Sequence, residues 1–187
     1  MTIYTCGTHP RHVPRLVASV VLLAALAGCA ATETPGGSFP VPSVAPAKAV
    51  TAAVSQTRGE LFRILGQHNL VLGDTQTPVQ PPESPTFAAA PRAVYQVLLP
   101  KDPTRGLIVV YEFRDPSSAA DAATEEANYL ATGPGRVQTP EGTNTVIRQV
   151  GSTVVFYSWL PNAAKDPSAA GIQAALETLG VGYPVPA

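Results

Sequence analysis

The spacing of apolar residues changes along this chain, and each change predicts a different kind of element. Val50, Val54, Leu61, Ile64 and Leu65 fall close to one helical stripe, and Gly66 is placed to end it. From Gly73 to Pro91 the stripe gives way to Pro78, Pro81, Pro82, Pro85 and Pro91, which remove amide donors and fix φ too often for any regular element. A connection of that length usually covers something or does something, so the segment is read as a long ordered strap or a second flexible segment. Beyond it, β-branched and aromatic runs alternate with Ala-rich runs of helical period.

One phrase occurs twice in that later region. Ile108-Val109-Val110-Tyr111-Glu112-Phe113 precedes Asp115-Pro116-Ser117-Ser118-Ala119-Ala120, and Val154-Val155-Phe156-Tyr157-Ser158-Trp159 precedes Asp166-Pro167-Ser168-Ala169-Ala170. In each copy the first run reads as a strand, Asp as a helix cap, Pro as the first helical residue and Ser/Ala as the continuation. A further strand lies upstream of each, Ala93 to Leu99 and Thr145 to Val150, the second joined through Gly151-Ser152, which suits a type II′ hairpin. The expected fold is therefore α+β. It is a two-layer sandwich with a four-stranded antiparallel sheet from two ββα repeats, about 92–132 and 144–180, and an N-terminal helix in front.

Strand alternation sets Tyr111, Phe113, Tyr157 and Trp159 on one face of that sheet, as core or as a binding surface. Under the helix Pro116 to Ala131, whose stripe is Ala119, Ala123, Ala127 and Leu130, large side chains would fill the space that small ones leave. The second helix, Pro167 to Leu179, offers Ile172, Ala175, Leu176 and Leu179. Ile108, Val110, Val154 and Phe156 fall opposite the aromatics, so both faces need a cover. With the repeat helices on one face, the other cover is the Val50 helix with the strap, a second copy of the chain, or a ligand.

Ahead of the domain, Arg11 and Arg15 precede an apolar run from Leu16 to Leu26 that stops at Gly28 and Cys29. The run falls short of the ~20 residues a spanning helix needs, and its order of basic, apolar and small residues is that of a secretory signal. Leu26-Ala27-Gly28-Cys29 resembles the lipobox of bacterial lipoproteins. The resemblance implies removal of residues 1–28, a diacylglyceryl group on the Cys29 sulfur and a membrane-anchored, extracytoplasmic protein. It does not extend into the domain that follows. Each buried methylene contributes roughly 0.8 kcal/mol, so two or three acyl chains hold firmly. Residues 29–46, rich in Ala, Pro, Ser, Gly and Thr, read as a tether reaching roughly 50 Å at ~3.1 Å per residue. A single domain, 47–187, follows.

Composition narrows the chemistry. The whole chain carries a formal charge of −1; without Arg11 and Arg15 it has 10 basic against 13 acidic residues, and 10 − 13 = −3, which gives no footprint for nucleic acid. Of two cysteines, Cys6 leaves with the signal and Cys29 is consumed by lipid, so no disulfide, thiolate metal site or thiol nucleophile is expected. His68 is the one histidine left and sits at a helix end, and no phosphate-binding, dinucleotide, serine-hydrolase or zinc-protease motif occurs. No cofactor and no metal are expected. Glu112 and Arg148 are expected to form a cross-strand ion pair, Glu125 and Glu126 to face solvent, and Gly133-Pro134-Gly135 to be a plain connection. The leading expectation is a non-enzymatic domain that binds an envelope protein or itself. A small-molecule or lipid carrier, with its ligand between the aromatics and the strap, comes second, and an enzyme using carboxylates alone comes third.

Overall fold

The computed structural model describes residues 51–187. The signal segment 1–28, Cys29 and the tether 29–46 lie outside the described residues. Thr51 opens helix α1, Ala52–Gln67, by accepting the Val54 N–H on its hydroxyl, and the expected stripe is buried at Val54, Leu61, Ile64 and Leu65. Asn69 takes φ 58° in the turn that follows. The strands are β1 (Leu72–Asp74), β2 (Arg92–Val97), β3 (Leu107–Glu112), β4 (Asn144–Val150), β5 (Thr153–Trp159) and β6 (Val181–Gly182). The other helices are α2 (Pro85–Ala89), α3 (Pro116–Ala131), α4 (Gly133–Gln138) and α5 (Ala169–Glu177).

The fold is α+β with one fully antiparallel sheet, in the order β1-β2-β3-β5-β4-β6. Six strands replace the four expected. The two extra ones are edge strands of three and two residues, too short for periodicity to reveal. Gly151 has φ 57° and Ser152 does not follow it to positive φ, the arrangement of a type II′ turn between β4 and β5.

Helices cover both faces of the sheet, which corrects the two-layer expectation. One core joins α1 and α5 to Tyr95, Ile108, Val110, Val155 and Tyr157; the other joins α2 and α3 to Val109, Tyr111, Ile147, Val154 and Phe156. The order strand, strand, helix does occur twice, but the units are not copies. A two-fold normal to the sheet between β3 and β5 would exchange the strand pairs and keep helices on one side. α3 and α5 lie on opposite sides. The cause is the connection: α3 starts almost directly after β3, whereas Leu160–Ser168 intervenes between β5 and α5 and carries the chain around the end of the sheet.

Asp115 caps α3 as expected, accepting the Ser118 N–H at 2.8 Å, with Pro116 as the first helical residue. That N–H holds its carboxyl down to about 2. The second Asp-Pro does something else. α5 begins at Ala169, after Ser168, and the carboxylate of Asp166 bridges the local Ser168 N–H on Oδ1 and the Lys101 N–H of another loop on Oδ2. Arg148 and Glu112 do not pair, because β5 separates their strands; Arg148 donates to the carbonyls of Leu179 and Gly180. Gly133-Pro134-Gly135 opens α4 instead of forming a plain link.

Candidate ligand-binding cleft

The β2–β3 connection turns sharply at Gly106, whose φ is 76° and where any Cβ would meet the Val97 carbonyl and stand 3.3 Å from Leu99 Cδ1. Gln96 fastens the loop further, donating to the carbonyls of Pro103 (2.6 Å) and Arg105 (3.1 Å). Facing it, across the end of β5, runs the segment Leu160–Ser168. Both loops contain Lys-Asp-Pro, at Lys101-Asp102-Pro103 and Lys165-Asp166-Pro167. The two tripeptides brace each other reciprocally: the Lys101 N–H donates to Asp166 Oδ2 (3.0 Å), and the Lys165 N–H donates to Asp102 Oδ2 (3.4 Å). The Lys101 and Ser168 N–H groups hold the Asp166 carboxyl below its ordinary range.

These braced loops, the end of β5 and strap residues Pro78 to Pro81 enclose a cleft of about 420 Å³. That size lies within the roughly 300–1,000 Å³ of small-molecule sites. Tyr157 and Trp159 both line it. Trp159 donates its indole N–H to Gln173 Oε1 at 2.9 Å, and Asn144 Nδ2 donates to the same oxygen at 3.2 Å, so α5 and β4 fix the ring's orientation. Tyr157 is buried, its hydroxyl 3.5 Å from the Ala169 carbonyl, and burial pushes its phenol upward.

The four aromatics expected on one face are divided between two. Register decides it: Tyr111 stands opposite Val154 and Val110 opposite Val155, so Tyr111 shares a face with Val154 and Phe156, and Tyr157 with Val110. Tyr111 and Phe113 belong to the core beneath α2 and α3, where Phe87 meets Tyr111 at 4.4 Å and Phe113 at 5.7 Å between ring centroids. His68 is the exposed C-cap of α1 and does not line the cleft.

A second polar cluster ties the strap down on that other face. The Tyr111 hydroxyl and the Arg92 guanidinium both donate to Glu83. Burial raises the Tyr111 phenol, and its bond to the Glu83 carboxylate adds to the effect. Thr86 donates to Glu125 at 2.7 Å, and the Ser84 N–H donates to Glu126 Oε2 at 2.7 Å. Glu126, expected at the surface, is fully buried, and its Oε1 has no hydrogen-bond partner. Burial raises its carboxyl, the Ser84 N–H opposes this, and the nearby charges of Glu83 and Glu125 add to it.

A raised folded-state value means that Glu126 contributes stability below the ordinary glutamate value of 4.5, and that this contribution is lost as pH rises through the folded value. Thermal midpoints should therefore decline upward from that pH in the native chain. Glu126→Gln should flatten the decline, whereas an unchanged slope in the variant would place the titration elsewhere.

Among the described residues, no group of three or more His, Cys, Asp or Glu side chains could hold a metal ion. No helix there is long and apolar enough to cross a membrane. Comparison with protein families, with curated proteins and with solved structures finds no match to this chain. Sequence reasoning missed Asp102, Arg105 and Phe87. The repeated Lys-Asp-Pro was the available signal for the first two, since it marks two loops of matching chemistry; nothing comparable marked Phe87.

Proposed function

We propose that this protein is a lipid-anchored, extracytoplasmic, non-enzymatic binding domain that holds a small molecule in the cleft at the end of β5. The observation that carries the reading is the Trp159 ring, clamped by Gln173 against a cleft roofed by the proline-rich strap. A rigid aromatic wall with a few fixed polar groups is what small-molecule recognition requires. Partner-protein binding through an open sheet face loses its motive, because α1 with α5 and α2 with α3 occupy the two faces. The sheet edges offer little in its place: β1 and β6 have three and two residues, the short form in which edges resist pairing. An envelope protein or second copy would need another surface.

The anchor reading rests on Cys29 and the segment before it. In the native cell, Cys29→Ala is expected to move the protein out of the membrane fraction; equal membrane attachment would overturn the address. For the cleft, native mass spectrometry of cell-derived protein should reveal a retained small molecule, and a bare polypeptide mass in repeated preparations would count against a carrier.

A further inference from the structure

Among the described residues two charged side chains line the cleft, Asp102 and Arg105, and they are not equivalent. Asp102 is 6 % exposed, and its carboxylate already receives the Lys165 N–H at 3.4 Å and the Thr104 hydroxyl at 3.5 Å. Arg105 is exposed and forms no ion pair among the described residues. Lys101 and Lys165, one on each bracing loop, are likewise exposed, while the carboxylates beside them are engaged by backbone amides. The two carboxylates keep their charge within those hydrogen bonds, so the two loops carry three cations against two anions, 3 − 2 = +1, and the exposed members of the set are the cations. The remaining wall mixes the apolar Trp159, Leu160, Pro78 and Pro81 with the neutral polar side chains of Gln80, Thr104 and Ser158.

We propose that the cleft takes a small amphipathic anion, its flat apolar body against Trp159 and its single anionic group at Arg105. This rests on the cleft being a binding site at all, and it names the chemical class that such a site selects. The guanidinium supplies a planar fork of donors to a carboxylate, sulfonate or phosphate oxygen pair, and a charge-assisted bond of that kind distinguishes an anion from a neutral body of the same shape. Trp159 and the prolines supply the apolar contact that both would share.

Trp159 is the only tryptophan of the chain, so energy transfer from it reports on this cleft directly. The test uses the full chain carrying Cys29→Ala, which has no acyl chain for a hydrophobic probe to enter. Anilinonaphthalenesulfonate is compared with N-phenylnaphthylamine, the same skeleton without the sulfonate. The expected result is quenching of Trp159 by both probes, with the anion bound about tenfold more tightly, a difference of about 1.4 kcal/mol. Arg105→Gln should bring the two affinities together by weakening the anion alone, and Arg105→Lys should keep most of the preference. Equal affinities in the parent chain, or a preference untouched by Arg105→Gln, would overturn the anionic class and leave the cleft standing. Failure of both probes to draw energy from Trp159 would overturn the cleft itself.

Discussion

Replacing Phe87 with alanine is expected to lower the unfolding free energy by about 3–5 kcal/mol, the usual cost of deleting a buried aromatic side chain. Marginal domains have ~5–15 kcal/mol in total, so the loss is large. Phe87 is fully buried at the centre of the core between α2, α3 and β3, tilted against Tyr111 and Phe113. α2 has five residues and cannot persist by itself. It is held by its Ser84 cap, by Glu126 on the Ser84 N–H, and by this ring. Truncation leaves a void that the short helix fills only by moving, and the strap upstream moves with it. Urea denaturation reads the effect, and energy transfer from Trp159 to a bound probe should weaken in parallel because Pro78 to Pro81 roof the cleft. A loss below about 1 kcal/mol would show that α2 is not docked in solution.

Gly180→Ala is expected to cost about 2–3 kcal/mol and to release the C-terminal segment from the sheet. Gly180 has φ 40°, and a Cβ there would fall on the Gln149 carbonyl oxygen, 2.9 Å from its carbon and 3.2 Å from Val150 Cγ2. The obstacle is backbone near the C-terminal end of β4, so no rotamer change removes it. Relief comes by displacing Leu179–Gly182, which unburies Leu179, breaks the Arg148 bonds to the Leu179 and Gly180 carbonyls and unpairs β6 from β4. Hydrogen exchange should then report faster exchange at Tyr183, whose N–H donates to the Ile147 carbonyl. Gly59→Ala is the control: it lies exposed inside α1 with nothing within 4 Å of its Cβ, and should stabilise by about 1 kcal/mol. If Gly180→Ala is as mild as that control, the tight approach of the two chains is wrong.

Elements with a full period were legible from residues alone. The stripe Ile172, Ala175, Leu176 and Leu179 is buried as a set, as is Ala119, Ala123, Ala127 and Leu130. Asp115-Pro116 starts its helix where capping chemistry requires, since a carboxylate, a fixed φ and an expendable N–H act within four residues. Identical letters at Asp166-Pro167 gave a different outcome, because another loop offers the Lys101 N–H to that carboxylate and the helix starts later. Glu126 reads as a solvent residue on a polar turn of helix, yet the strap settles over it and supplies one amide. Local propensity was unaltered in each case; a distant segment decided the partner.

The candidate cleft was half legible. Tyr157 and Trp159 carry the aromatic signal of a wall, and the prolines that roof it were visible as a strap. That Tyr111 and Phe113 belong to a different wall was not, for alternation within a strand says which residues share a side but not which side of the neighbouring strand they join. That choice is the pairing register.

From the residues in order came the positions of the four longer strands and of α1 and α3, the apolar character of both sheet faces, the proline strap and the cysteine that suits lipid attachment. Each depends on interactions within a few residues, where sterics, capping and period act without reference to the rest of the chain. Tertiary structure alone decided the order of strands, the opposite placement of α3 and α5, the burial of Glu126, and the meeting of two Lys-Asp-Pro loops beside Trp159. These bring together residues tens of positions apart, and the free energy that selects among such arrangements comes from packing and desolvation over the whole molecule.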